Sequence, residues 1–242
     1  MTNYTQWKSL VDLHEYSALP DILIDNFEQS DEVDGATEPF GPYGEGDGLE
    51  TYYSGDFDRY DITTDGPVDG DALEGDRSLV GTGDSQERII SQPGDGLPNY
   101  FDDGRTASCL VHIDDDNEDD NLQVLFAVQD IDNFLGVDVN AFNQSVSIFE
   151  KVDGSRNVLD SEDLSIDSSD FFDVEIDRSG SDLVARIFDY DPFEAERGSE
   201  LRTLEVSNPP FSDESGIGFQ HAGPSANIGV ESRFFDFYRL VD

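Results

Sequence analysis

Residues 122–139, LQVLFAVQDIDNFLGVDV, decide the fold. Leu122, Val124, Phe126 and Val128 alternate with Gln123, Leu125, Ala127 and Gln129, the period-2 pattern of a strand whose side chains leave on opposite faces. A second extended run, Asn133–Asn140, begins a few residues later, so Asp130, Asp132 and Asn133 fall at a turn between two strands.

Outward from this pair, the chain reads as short extended runs broken by turns. C-terminal to it come Ser145–Val152, Phe171–Arg178, Asp182–Asp189, Gly216–Ala222 and Ser232–Leu240. N-terminal to it come Ile22–Phe27, Ala72–Gly81, Glu87–Ser91 and Thr106–Ile113. Val152-Asp153-Gly154-Ser155 and Arg178-Ser179-Gly180-Ser181 read as hairpin turns, with glycine where positive φ is wanted. Residues 31–71 are rich in Gly, Asp, Pro and Tyr and read as a long loop region, with short strands near Leu49–Tyr53 and Tyr60–Thr63. Thr2 to Ser17 reads as the one helix: Trp7, Leu10, Val11 and His14 share a face, and Leu19-Pro20 ends it. Ten or more short strands with turns at this spacing predict an all-β, two-sheet antiparallel sandwich over 21–242, preceded by a short N-terminal helix in 1–20. A single sandwich of this length is ordinary.

Charge is the second strong signal. Fifty-six acidic residues face thirteen basic ones, a net charge of −43. In dilute buffer such a chain repels itself; at molar salt the Debye length is about 3 Å and the repulsion is screened. With lysine confined to Lys8 and Lys151, the composition is read as that of a halophile protein. Disorder is the plainer reading of high charge, but 17 Phe, 9 Tyr and periodic apolar runs argue for a fold. Nucleic acid is excluded as a partner, because phosphate contacts need clustered Lys and Arg. No run approaches the roughly 20 apolar residues of a membrane span, and Met1-Thr2-Asn3-Tyr4 lacks the look of a secretory signal. Cys109, within Ala107-Ser108-Cys109-Leu110-Val111, reads as a buried strand thiol.

From about Asp71 onward the strand order resembles the concanavalin A-like lectin/glucanase jelly roll, laminin-G-like members included. The resemblance rests on the 122–139 hairpin, the run Val146–Gly154, the pair Phe171–Arg178 and Asp182–Asp189, the glycine-led Gly216-Ile217-Gly218-Phe219, and Phe234-Phe235-Asp236-Phe237-Tyr238 as closing strand beside Ile24–Phe27. It covers about two-thirds of the chain and speaks to fold more than function. The hydrolase branch of this superfamily implies acidic residues at alternate positions of one strand. The nearest match, Asp173-Val174-Glu175-Ile176-Asp177, lacks the final glutamate of a Glu-x-Asp-x-x-Glu run and leads straight into a turn. A solvated strand face is the plainer reading of it.

Candidate sites are few. Asp130, Asp132 and Asn133 are candidate oxygen ligands for Ca²⁺ at the sandwich rim, a hard cation that takes six to eight oxygens. The run Asp114–Asn121 is denser but has no metal-loop spacing, and reads as a solvated loop. Tyr43, Tyr52, Tyr53 and Tyr60, among glycines and carboxylates, are candidate sugar-stacking residues; the same composition suits a loop packed by its own aromatics. Trp7, Leu10 and Val11 are candidate partner contacts, unless the helix folds back on the sandwich. His14, His112 and His221 are dispersed, without zinc spacing, and no nucleophile elbow, P-loop or dinucleotide fingerprint occurs.

Together these features predict a non-catalytic recognition or structural protein at the virion surface of a halophile's virus: a tail-fibre, receptor-binding or capsid-surface subunit. Its expected partners are other virion proteins, further copies of itself and host glycans. The alternative is a glycoside hydrolase or lyase of the same superfamily acting on an extracellular polysaccharide at the cell surface.

Overall fold

A computed structural model describes residues 106–113, 121–167, 170–179, 181–194, 196–211, 214 and 216–222, together with the backbone course of strands at 23–25, 53–55, 60–63, 78–81, 87–91 and 233–241. Fifteen strands and no helix occur among them. In chain order they are β1 Leu23–Asp25, β2 Tyr53–Gly55, β3 Tyr60–Thr63, β4 Ser78–Gly81, β5 Glu87–Ser91, β6 Thr106–Ile113, β7 Asn121–Asp130, β8 Asn133–Asn140, β9 Ser145–Val152, β10 Ser155–Asp163, β11 Phe171–Ser179, β12 Asp182–Asp191, β13 Glu196–Ser207, β14 Gly216–Ala222 and β15 Arg233–Val241.

They form two antiparallel sheets. One runs β10-β9-β8-β7-β14-β5-β2; the other runs β13-β12-β11-β6-β15-β4-β3, with β1 also paired to β15. The predicted closing pair is present, with Ile24 opposite Arg239 and Asp25 opposite Tyr238. The predicted N-terminal helix, with Trp7, Leu10 and Val11, lies outside the described residues.

The core forms where the alternating apolar positions of the two sheets meet. Leu122, Val124 and Phe126 of β7, Val137 of β8 and Phe219 of β14 face Cys109 and Val111 of β6, Val174 and Ile176 of β11 and Ala185 of β12, all buried. Removing this much apolar side chain from water is the main stabilising term, about 25 cal/mol per Å². The central strands β7 and β8 are buried on both faces, which is why they read as nearly continuous apolar runs.

The strict alternation expected through Val128 fails at Ala127. This alanine has φ +50° and is fully buried. It sits where the pairing of β7 with β8 shifts register. The extra residue returns Ala127 to the inter-sheet core and turns Val128 outward beside Leu125, Phe134 and Phe149.

Two edge strands close the far side of the sandwich without pairing to each other. The backbone N–H of Glu205 in β13 donates to Oδ2 of Asp160 in β10 (3.0 Å), and Nε of Arg202 donates to the Asp163 carbonyl (2.6 Å).

Candidate functional site

Strand register builds a row of polar groups on the outer face of the seven-stranded sheet. Gln220 of β14 lies opposite Gln123 of β7, Gln123 opposite Asp138 of β8, and Asp138 opposite Ser147 of β9. Arg88 of β5 holds the next register position beyond Gln220. The neighbouring row places Asn121 opposite Asn140, and Asn140 opposite Ser145. Gln220, Gln123, Asp138, Ser147, Asn121, Asn140 and Ser145 each alternate with a core residue, so they share the face turned away from the other sheet.

Hydrogen bonds link the row in one direction. Oδ1 of Asp138 accepts from Nε2 of Gln123 (3.3 Å), and Oε1 of Gln123 accepts from Nε2 of Gln220. Oδ2 of Asp138 accepts from Nδ2 of Asn140 (3.4 Å) and from Nη2 of Arg156 (2.6 Å). The carboxylate can only accept, so it orients the Gln123 amide, and that amide orients Gln220. The amide oxygens of Gln220 and Asn121 are buried without a hydrogen-bond partner. Burial raises the Asp138 pKa above its ordinary value, against the opposing pull of Arg156 and the amides of Asn140 and Gln123.

Arg156 carries this network to solvent. Its side chain is 35% exposed while that of Asp138 is 3% exposed. The guanidinium carbon stands 4.5 Å from the Phe149 ring centroid. Phe149 in turn meets Phe134 edge to face at 6.1 Å, and Nζ of Lys151 lies 5.6 Å from the Phe134 ring. Lys151 and Arg156 are directly opposite each other in the β9–β10 hairpin. Space for the Phe149 ring comes from Gly136, the residue opposite it on β8.

The residues expected at the rim come together, but largely on one another. Oδ1 of Asp130 accepts from the Asp132 backbone (2.8 Å), and both Asp130 oxygens accept from Nδ2 of Asn133 (2.9 and 3.0 Å). Oδ1 of Asn133 accepts from the Asp153 backbone (3.0 Å), and the Asp132 carbonyl from that of Gly154 (3.1 Å). These bonds tie the β7–β8 turn to the β9–β10 turn. Among the described residues, no group of three or more His, Cys, Asp or Glu side chains is arranged to hold a metal ion.

Tyr53 opens β2, at the edge of the seven-stranded sheet, and Tyr60 opens β3, at the edge of the other, so the two fall in different sheets. Tyr43 and Tyr52 lie outside the described residues, as does the acidic run 114–120. His112 and His221 occupy strands β6 and β14, and both are buried, as is Cys109.

The alternating acids of β11 stand in an ion-pair ladder on the outer face of the eight-stranded sheet. Arg197 reaches Oδ2 of Asp173 and Oε2 of Glu175, both at 2.6 Å, and Arg186 reaches Oε1 of Glu175 (3.2 Å) and Oδ2 of Asp177 (3.5 Å). Asp177 also accepts from the Thr106 hydroxyl (3.3 Å). These carboxylates are engaged by two guanidinium groups.

Sequence reasoning missed Gln123, Asp138, Asn140, Arg156 and Gln220 as a group. The available signal was a polar residue inside an otherwise apolar strand: Gln123 within Leu122–Val128, Asp138 between Val137 and Val139, Gln220 after Phe219.

No family model and no curated protein matches the chain. Among solved structures it is similar to a protein of unknown function from Shewanella oneidensis MR-1, at 10% identity over 95% of this chain and 91% of that one, with a TM-score of 0.53. It also matches the carbohydrate-binding module CBM66 from Bacillus subtilis (15% identity, 66% and 82% of the two chains, TM-score 0.45) and peanut lectin (11%, 91% and 97%, 0.46). At such identities the likeness is one of fold. The chain is a two-sheet antiparallel β-sandwich, the fold its strand order predicted.

Proposed function

We propose that this chain is a non-catalytic carbohydrate-recognition protein that takes its glycan on the outer face of the seven-stranded sheet, entering at Arg156. The observation that carries this reading is the cross-strand row Gln220, Gln123, Asp138 with Asn140 and Arg156. Arg156 is the member of this row that reaches solvent; the buried amides and carboxylate, with the Phe149 ring, hold its guanidinium in one orientation toward sugar hydroxyls. The absence of catalysis is supported by the β11 carboxylates, the acids that alternate as a hydrolase strand would and that are engaged in ion pairs. The setting we propose is a virion surface in concentrated salt, with other particle proteins and further copies of this chain as partners. The charge of −43 supports the salt; the virion placement is the setting in which we expect a lectin-like sandwich of this charge to act.

The test uses the whole chain in molar KCl with immobilised oligosaccharides, neutral and acidic, recording retention and release of reducing ends together. Retention without release is the expected result. Release of sugar overturns the non-catalytic reading, and no retention on any glycan overturns recognition. Mass spectrometry of purified particles tests the placement, which fails if the chain is missing from them.

A further inference from the structure

Thirteen basic residues serve the whole chain, and two of them, Lys151 and Arg156, stand directly opposite each other on one face of the β9–β10 hairpin. Arg156 is also held in place. One face of its guanidinium lies 4.5 Å from the Phe149 centroid, and its Nη2 is 2.6 Å from Asp138. That hydrogen bond uses one of five guanidinium N–H donors, which leaves a two-donor edge of the fork open at a side chain 35% exposed to solvent. Asp138 is itself almost fully buried, so the guanidinium is fixed from behind and presented outward.

We infer that this Arg156 edge is a subsite for the carboxylate of an acidic sugar, a uronic acid unit within the bound glycan. The inference rests on the glycan reading above and names the class of sugar. A carboxylate is planar and accepts two parallel N–H bonds from such a fork, a match that an ammonium does not provide. The large negative charge of the rest of the molecule does not prevent this in concentrated salt. With a Debye length of about 3 Å at 1 M, only groups in direct contact act on the ligand.

The experiment compares a galacturonic acid trisaccharide with its carboxyl-reduced form, titrated calorimetrically against the full chain in molar KCl. The acid is expected to bind at least tenfold more tightly. Arg156→Lys, which keeps the charge and loses the fork, is expected to remove most of that preference while retaining the strand-type circular dichroism of the parent. Equal affinity for the two sugars overturns the carboxylate subsite and leaves glycan recognition standing; so does a preference that survives in Arg156→Lys. Binding of neither sugar overturns the carboxylate subsite, and retention on no glycan at all overturns both. The comparison on the unsubstituted chain decides the question even if the variant does not fold.

Discussion

A Cβ atom placed on Gly136 would stand 2.6 Å from Cε1 and 2.7 Å from Cζ of Phe149. The glycine is therefore the reason the ring lies where it does. Gly136→Ala must displace a buried ring that has Leu125, Val128 and Phe134 around it. We expect a loss of about 1–3 kcal/mol in a denaturant titration, the usual range for overpacking. Adding Phe149→Leu should recover part of the loss relative to the sum of the two single changes, as coupled neighbours do. Strict additivity would show that the two residues do not share this space.

Asp138 should titrate above its ordinary value of 3.8, because burial outweighs its bonds to Arg156, Asn140 and Gln123. A carboxyl whose pKa is raised by folding holds its proton longer in the folded than in the unfolded chain. Its contribution is then fully present below the unfolded pKa and is lost as pH rises through the folded one. Arg156→Gln removes the largest opposing cause and should raise the Asp138 pKa further. Carboxyl ¹³C shifts against pH read both values; a midpoint below 3.8 in the parent chain would contradict the burial argument.

The two arginines of the β11–β13 ladder should differ in weight. Arg197 contacts a carboxylate, Asp173, whose side chain is 2% exposed, whereas Arg186 contacts Glu175 and Asp177 at 17% and 36%. Removing one partner of a buried pair costs about 3 kcal/mol or more, while exposed pairs are worth roughly 0–1 kcal/mol. Arg197→Met should therefore lower stability several times more than Arg186→Met. Equal losses would place the Asp173 charge in better contact with solvent than its burial indicates.

At the rim, Asp130→Ala removes the acceptor for the Asp132 backbone and the Asn133 amide. The expected loss is about 1–2 kcal/mol, the worth of two hydrogen bonds. Because these oxygens are occupied by protein donors, the parent chain should melt at the same temperature with Ca²⁺ as with a chelator. A rise in Tm on adding Ca²⁺, absent in Asp130→Ala, would restore the rim as a cation site.

Salt should act on the whole chain in one direction. Lowering KCl lengthens the Debye length from about 3 Å at 1 M to about 10 Å at 0.1 M and exposes the 56 carboxylates to one another. We expect the denaturation midpoint to fall steadily with salt. A midpoint unchanged in salt-free buffer would remove the halophile reading.

The sequence was most legible where burial imposes a pattern. β5, β6, β8, β9 and β14 occupy the residues expected of them, and the β7–β8 hairpin lies where its alternation placed it. β10 and β13 were not foreseen. Both are edge strands, β10 exposed or half-exposed along its whole length and β13 nearly so, and a strand that buries little carries little apolar period. The Ala127 bulge was invisible for a different reason, since an alanine in the left-handed region leaves no compositional mark. The candidate face was illegible as a face. Gln123 and Gln220 are 97 residues apart and meet only through the pairing of β7 with β14. The acids of β11, by contrast, were seen at once, but not their arginine partners on β12 and β13, nor the burial of Asp173.

The first and last of the described strands meet side by side, with Leu23 opposite Leu240 and Asp25 opposite Tyr238 in an antiparallel pair. The chain thus arrives at β1 and departs from β15 at the same corner of the sandwich. A tension applied between these two points would open their hydrogen bonds one after another, like a zip, rather than load them all at once in shear. Such a seam yields to a small force, whereas the long pairings of β7, β8 and β9 lie off the line of pull. Mechanically the domain is suited to hang as a side branch from whatever bears it, and poorly suited to serve as a tension-bearing link in a series.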